Sequence, residues 1–156
     1  MKLNLKNLIL TLTLLFTGVA VSLAQAPQMG TWKLNEAKSK IPAGVMKNTT
    51  VVYEVAGDSI KVSTDGTDAT GKPMHTEWTG KFDGKSYPLS GDPSSDSRSY
   101  TKVNDHILNI TNKMGGKATT TGRIVVAPDG KSRTITTTGT DSAGNKTVVI
   151  GRYDKA

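Results

Sequence analysis

The sequence contains no cysteine and only two histidines among its 156 residues. The absence of cysteine excludes a disulfide framework, so the fold has to be held by a hydrophobic core. Aromatic residues are also scarce, at 5% of the chain, which predicts a thin core. The histidines offer little material for a metal centre. His75 and Glu77 fall on one side of a predicted strand and face solvent, and together with His106 they would make a poor ligand set.

The N-terminus has the three parts of a secretory signal peptide. It begins with Lys2 and Lys6, continues with an apolar run over residues 8–23, and ends in small residues at Ala24 and Ala26. We therefore predict that residues up to Ala26 form a signal peptide, with cleavage after Ala24 or Ala26. The product is expected to be secreted or periplasmic.

A transmembrane anchor is the alternative interpretation of the same segment. Threonines interrupt the apolar run, which is shorter than the roughly 20 residues a spanning helix needs. No cysteine follows it, and this excludes a lipid-anchored lipoprotein. We therefore predict no stable membrane anchor. An exported protein without disulfides is more typical of a bacterial envelope than of an animal extracellular module.

The mature chain is predicted to be a single domain over residues 27–156. Removal of Lys2 and Lys6 lowers the formal net charge from +7 to +5, since the signal segment contains no acidic residue. The remaining basic residues are dispersed among threonines and are not accompanied by an aromatic ladder. We therefore predict no nucleic-acid partner, and the sequence leaves the oligomeric state open.

Almost everything past Pro27 predicts an all-β protein. Threonine, valine and isoleucine dominate, turn residues recur regularly, and only residues 35–40 look helical. An internal repeat supports sequential hairpins, because residues 59–68 read SIKVSTDGTD and residues 132–141 read SRTITTTGTD. Such a chain is expected to form an antiparallel up-and-down meander that closes into a β-barrel of about 8–10 strands. The predicted strands are 47–56, 58–65, 74–82, 97–103, 106–112, 117–126, 131–140 and 146–153.

Strand alternation assigns the faces of this barrel. The inward residues that we predict to line a cavity are Tyr53, Met74, Trp78, Phe82 and Tyr100. Two interiors fit the composition: a tightly packed small barrel, or a cavity lined by hydroxyl groups and a few rings. The longest predicted irregular stretch, residues 87–98, is the expected mouth or lid.

A short motif resembles the lipocalin-like (calycin) barrels. Gly30-Thr31-Trp32 matches their G-x-W sequence on the first strand, and Arg152 matches the closing arginine of the last strand. The resemblance implies that the arginine packs over the tryptophan and shuts one end of the barrel. Alternation on the last predicted strand places Arg152 on the face of Val148 and Ile150, which is expected to point inward.

A longer pattern resembles an uncharacterised family of small exported bacterial proteins. It includes GTWKLNEAKSK at residues 30–40, EWTGKFDGKSYPLSGDP at residues 77–93 and APDGKSRTITTTGTDSAGN at residues 127–145. This resemblance covers nearly the whole mature chain, and it implies export and a lipocalin-like barrel without adding a catalytic residue. The avidin-type barrels also begin with G-x-W, but their site needs several tryptophans. The mature chain has only Trp32 and Trp78, so biotin binding is not expected.

Other residues that could carry chemistry have simpler interpretations. The aspartates beside turn glycines lack the alternating spacing of a calcium loop, so they are interpreted as turn residues. The serines around Asp96 have no histidine near them in sequence to serve as a base. We therefore predict no metal, no cofactor and no catalytic residue.

These observations favour one function and leave two alternatives. The favoured function is reversible binding of a small apolar or amphipathic molecule in the bacterial envelope. The first alternative is a non-catalytic envelope protein whose barrel is filled and whose surface binds a partner. The second is a hydrolase or isomerase with an unidentified site. A void beside Trp78 and Tyr53 would favour ligand binding. A filled interior with an exposed apolar patch would favour the protein that binds a partner through its surface.

Overall fold

The computed structural model describes Leu23 and residues 26–141 and 143–156. The predicted signal peptide therefore lies outside the described residues, apart from Leu23 and Ala26. Within the described part of the chain, no helix is both long enough and apolar enough to cross a membrane.

The protein is a closed antiparallel barrel of ten strands in up-and-down order, which confirms the predicted all-β fold. β1 pairs with both β2 and β10, so the sheet has no free edge. A single 3₁₀ turn, Glu36–Lys38, follows β1. The strands are β1 Gly30–Leu34, β2 Lys47–Ala56, β3 Ser59–Thr67, β4 Pro73–Gly80, β5 Tyr87–Ser90, β6 Ser97–Asn104, β7 Ile107–Met114, β8 Lys117–Val126, β9 Ser132–Thr140 and β10 Lys146–Lys155.

Two observed strands are missing from the pattern-based prediction: β1, which was expected only from the G-x-W resemblance, and β5, which was not expected at all. β5 lies inside the segment 87–98 that was expected to be irregular, it is four residues long, and it contains Pro88. Its ladder is short on both sides: Trp78 pairs with Leu89, and Tyr87 pairs with Arg98. A four-residue strand with a proline has too little alternation to be recognised from sequence.

Alternation predicted the inner face of β4 and failed for β10. On β4, Thr76, Trp78 and Gly80 are buried while their neighbours are exposed. On β10 the buried residues are Gly151 and Tyr153, whereas Val148 is 49% exposed. Three consecutive apolar residues at 148–150 hide the alternation of β10. The large ring of Tyr153 points into the barrel and so determines which face of β10 is the inner one. Gly151 leaves room for this ring, since a Cβ at position 151 would lie 2.8 Å from it.

The connections alternate between the two ends of the barrel because neighbouring strands are antiparallel. We call one end the open end; it carries loops 35–46, 68–72, 91–96 and 115–116 and the β9–β10 connection. The other end, called the closed end, carries residues 26–29 and the connections 57–58, 81–86, 105–106 and 127–131.

Five aromatic rings, three of them buried and two half-buried, pack together in the half of the barrel nearer the closed end. The Trp78 ring lies 4.8 Å from the Tyr100 ring and stacks at 6.4 Å on Phe82. Tyr87 meets Trp78 edge-on at 5.7 Å, and Tyr53 packs against both Tyr100 and Phe82. We call these five rings the aromatic cluster. It occupies much of the interior on this side.

Candidate functional site

Arg133, and not Arg152, is the arginine that packs over Trp32. Its guanidinium carbon lies 4.7 Å from the centre of the Trp32 ring, 4.9 Å from Tyr53 and 5.2 Å from Tyr153. Arg133 is 2% exposed, and its nitrogens have no hydrogen-bond partner among the described residues. Three ring faces therefore provide most of the electrostatic compensation of this buried cation. The Trp32 indole N–H donates to the Gln28 carbonyl at 2.9 Å, which fixes the ring over the closed end.

Arg152 was predicted to be the closing arginine, and the structure corrects this. Its side chain is exposed on the outer face, where Nη1 donates to the Thr134 hydroxyl at 2.6 Å. On β10 the side chain of Tyr153 points into the barrel, so that of its neighbour Arg152 points outward. Arg133 is the residue on β9 that pairs with Tyr153, and it therefore also points inward. The sequence could have indicated this, because Arg133 and Ile135 are two residues apart on β9 and therefore lie on the same face.

A cavity of about 380 Å³ lies between the aromatic cluster and the loops of the open end. Its apolar lining includes Val51, Ile110, Ile124, Ile135 and Val149. Its hydroxyl lining includes Tyr53, Tyr100, Thr64, Thr120 and Thr137. Among the loops, residues 41 and 44–46 and residues 92–94 line its mouth. The interior is therefore packed at one end and hollow at the other, which combines the two interiors that the composition allowed.

Only some of the residues that the sequence predicted to line a cavity do so. Tyr53 and Tyr100 line the cavity, so the void lies beside Tyr53. Trp78 and Phe82 were also expected on its wall, but they lie in the aromatic cluster and are not among the lining residues. Met74 is half-buried and does not line the cavity either. Strand alternation identifies which residues point inward. It does not identify where along the barrel axis the inward side chains leave a cavity.

The charged cavity residue that sequence reasoning missed is Arg98. It lines the cavity and is 6% exposed. Its Nε donates to Asn112 Oδ1 at 2.7 Å, and its Nη1 donates to the Tyr100 hydroxyl at 3.3 Å. The Trp78 indole donates to the Arg98 carbonyl at 2.9 Å and ties the backbone to the aromatic cluster. Arg98 lies two residues before the inward Tyr100 on the same strand, and this spacing could have indicated that Arg98 also points inward.

The Tyr100 hydroxyl is neutral at physiological pH. Burial, together with the nearby Tyr53 hydroxyl, raises the pKa of Tyr100 well above its usual range, and Arg98 offsets only part of this effect. Burial likewise raises the pKa of Tyr153 to about 12. On the cavity wall, Tyr100 and Tyr153 therefore supply hydroxyl groups and no negative charge.

Asp92 adds a buried carboxylate at the mouth of the cavity. It is 8% exposed, and its Oδ1 accepts from the Ser94 N–H at 2.8 Å and from the Ser94 hydroxyl at 2.7 Å. Its Oδ2 has no hydrogen-bond partner among the described residues. The loop 91–96 thus holds one carboxylate oxygen within its own turn. No histidine is among the residues that line this cavity.

A second hollow, of about 390 Å³, lies at the closed end. Phe82 and Lys102 contribute to its wall, but so do Leu23 and Ala26. Leu23 lies in the predicted signal peptide, and so does Ala26 if cleavage follows Ala26. The cavity at the open end contains no residue of the predicted signal peptide among its described lining, and it is therefore the site from which we argue.

His75 and Glu77 form a surface network rather than a metal centre. His75 Nδ1 lies 2.7 Å from Asp65 and its Nε2 lies 3.6 Å from Glu77, and all three side chains are exposed. The hydrogen bond to Asp65 raises the pKa of His75. The two carboxylates contact opposite nitrogens of the ring, so they do not converge on one point. Among the described residues, no group of three or more ligating side chains is placed to hold a metal ion.

The turn aspartates bind backbone N–H groups of their own or adjacent turns. Asp68 accepts from Thr70 and Lys72, Asp129 accepts from Lys131, and Asp96 accepts from Gly115. These contacts match the interpretation of the aspartates as turn residues.

Comparison with known proteins adds no family assignment. The chain matches no protein-family model, and a search of curated proteins gave no match.

Proposed function

We propose that this protein is an exported, lipocalin-like protein of the bacterial envelope that reversibly binds a small apolar or amphipathic molecule. The observation that carries the proposal is the cavity of about 380 Å³ at the open end of a closed barrel. Its wall combines aliphatic side chains with a few polar groups, which is the usual composition of a small-molecule site. The resemblance of the sequence to a family of exported, lipocalin-like bacterial proteins supports the same fold and location.

The volume limits the ligand. Binding sites for small molecules usually range over about 300–1,000 Å³, and this cavity lies near the lower end. A single compact molecule or a short acyl chain fits inside, whereas a longer chain would extend through the mouth between residues 41–46 and 92–94. The mouth residues include Ile41, Val45 and Pro93, which provide apolar contacts for such a chain.

The surface alternative has one observation in its favour. Val103 on β6 and Val125 on β8 are 47% and 39% exposed on the outer face, on either side of β7. Two valines make a small apolar patch, and scattered exposed apolar residues are normal on soluble proteins. The open cavity, which a filled barrel would lack, therefore favours the ligand-binding proposal.

A bulky residue in the cavity should abolish ligand binding. Thr137 lines the cavity, whereas its neighbour Thr136 is exposed on the outer face. We expect Thr137→Phe to weaken the binding of octan-1-ol at least about tenfold, because the ring occupies space that the ligand needs. Thr136→Phe, the matched control, should leave the affinity unchanged. Isothermal titration calorimetry on both variants and on the unaltered protein measures the difference.

An uncharged alcohol is used so that the result depends on the cavity and not on any charge in it. Equal affinities for both variants would show that octan-1-ol binds elsewhere, and the proposal would fail. An absence of heat with the unaltered protein at saturating alcohol would also contradict it.

A further inference from the structure

We infer that the ligand of this cavity carries a carboxylate, which the guanidinium of Arg98 binds. This inference rests on the proposed function, because it assigns the ligand class of the same cavity. Three observations carry it: the unused donors of Arg98, the absence of a counter-charge in contact with it, and the apolar wall beyond it.

Most of the hydrogen-bonding capacity of Arg98 is unused. A guanidinium has five N–H donors in a planar fork. Nε binds Asn112 and one Nη1–H binds Tyr100, and the described residues offer no partner to Nη2 or to the second Nη1–H. This free edge presents parallel N–H groups, which match the two oxygens of a carboxylate. Nη2 is not among the fully buried side-chain atoms that lack a partner, so this edge is accessible, and a ligand carboxylate can accept from it in place of water.

No carboxylate of the described chain pairs with Arg98. Among the described residues, every ion pair within 4.0 Å is formed by other side chains at the surface, such as Lys61 with Glu77 and Lys81 with Asp58. A deeply buried charge is normally paired or compensated in another way. Three ring faces compensate Arg133, whereas Arg98, which is 6% exposed, lies over one ring only, 5.9 Å from the centre of Tyr100. Tyr100 cannot serve as the counter-charge, because its hydroxyl is neutral. The partner of this cation is therefore expected to come from the ligand.

Two acidic residues share the cavity wall, at the mouth. Asp92 accepts from Ser94 through Oδ1, and Asp141 accepts from the backbone of Ala143 and Asn145. Asp92 Oδ2 keeps no hydrogen-bond partner among the described residues, whereas Asp141 is held by its loop, and neither carboxylate forms an ion pair with Arg98. Their negative charge would instead favour an ammonium group at the mouth, and this is the outcome against which the inference is tested.

The apolar wall gives the ligand an orientation. Arg98 is the second residue of β6 and lies near the open end. Ile124 lies near the end of β8, and Ile135 near the start of β9, which places both deeper in the barrel. A carboxylate at Arg98 would therefore direct an attached apolar chain towards Ile124 and Ile135 and onto the aromatic cluster. The ligand class is a small or short-chain organic acid with an apolar body.

Three eight-carbon probes that differ only in the head group test the inference: octanoate, octan-1-ol and octylamine. At neutral pH we expect the unaltered protein to bind octanoate at least about tenfold more tightly than octan-1-ol, and octylamine more weakly than either. Arg98→Met keeps an apolar side chain of similar length and removes the charge. It should lose the preference for octanoate over octan-1-ol, because the two affinities are compared within the same variant.

Arg98→Lys and Arg152→Met are the matched controls. Arg98→Lys keeps the charge without the planar fork, so a reduced preference for octanoate should remain. Arg152→Met removes an exposed arginine and should leave all three affinities unchanged. Circular dichroism establishes that each variant is folded, and the three-probe comparison on the unaltered protein decides the matter even if Arg98→Met does not fold.

The failures of the two proposals are distinguishable. If octan-1-ol binds in the cavity but octanoate binds no better, or if octylamine binds best, the carboxylate inference is wrong and the binding function stands. A preference for octanoate that persists in folded Arg98→Met would also overturn the inference. If none of the three probes binds the unaltered protein, the binding function fails and the inference fails with it.

Discussion

Replacing Trp78 by alanine is expected to lower the free energy of unfolding by about 4 kcal/mol. Trp78 is 1% exposed and lies at the centre of the aromatic cluster. Its ring contacts Tyr100, Phe82 and Tyr87, and its indole N–H donates to the carbonyl of Arg98. Alanine would leave a large void among rigid rings and an unpaired buried carbonyl group. The void dominates, because the single hydrogen bond contributes only about 1 kcal/mol.

Urea unfolding followed by far-ultraviolet circular dichroism measures this loss without relying on tryptophan fluorescence. Met114→Ala serves as the control, because Met114 is 42% exposed and its truncation should change the free energy of unfolding by less than about 0.5 kcal/mol. A loss below about 1 kcal/mol for Trp78→Ala would show that the closed half of the barrel is not packed as described.

Arg133→Ala is expected to lower the free energy of unfolding by about 3 kcal/mol. The substitution removes a cation that contacts the faces of Trp32, Tyr53 and Tyr153, and it leaves a void between them. Cation–π contacts of a desolvated guanidinium are worth about 2 kcal/mol. Part of the loss is offset, because the unpaired guanidinium no longer has to be buried. The remaining loss comes from the buried stem of the side chain.

Arg152→Ala provides the comparison, because Arg152 is the arginine that the sequence pattern singled out. It is exposed and binds only the Thr134 hydroxyl through its side chain, so its removal should cost less than about 0.5 kcal/mol. Equal costs for the two substitutions, or a larger cost for Arg152→Ala, would contradict the assignment of Arg133 as the closing arginine. Both values come from the same urea titrations.

Strand alternation was sufficient for the barrel and for parts of its interior. Hairpin turns and the repeated unit predicted the closed meander, since each predicted strand has its turn signal within the sequence itself. Where polar and apolar residues alternate, as on β4, the inner face was also correct. Where apolar residues follow one another, as at 148–150, the predicted inner face of β10 was wrong. Arg152 was therefore also assigned to the wrong face.

The cavity could not be located from the sequence. Its position depends on how high each inward side chain lies along the barrel, which is set by register between strands that are distant in sequence. Tyr53 and Trp78 both point inward, but only Tyr53 reaches the hollow half. Arg98 was overlooked for a different reason: a charged residue in a polar segment is normally exposed, and its burial becomes evident only from its contacts with Asn112 and Tyr100.

The central claim is that a ligand occupies the hollow half of the barrel. The most direct test is methyl-resolved NMR spectroscopy of the protein during titration with octan-1-ol. We expect the chemical-shift changes to be confined to the methyl groups that line the cavity, those of Ile110, Ile124 and Ile135. The exposed methyl groups of Val103, Val125 and Val148 should not respond. Changes at the outer valines with none inside, or no change at saturating ligand, would contradict the claim.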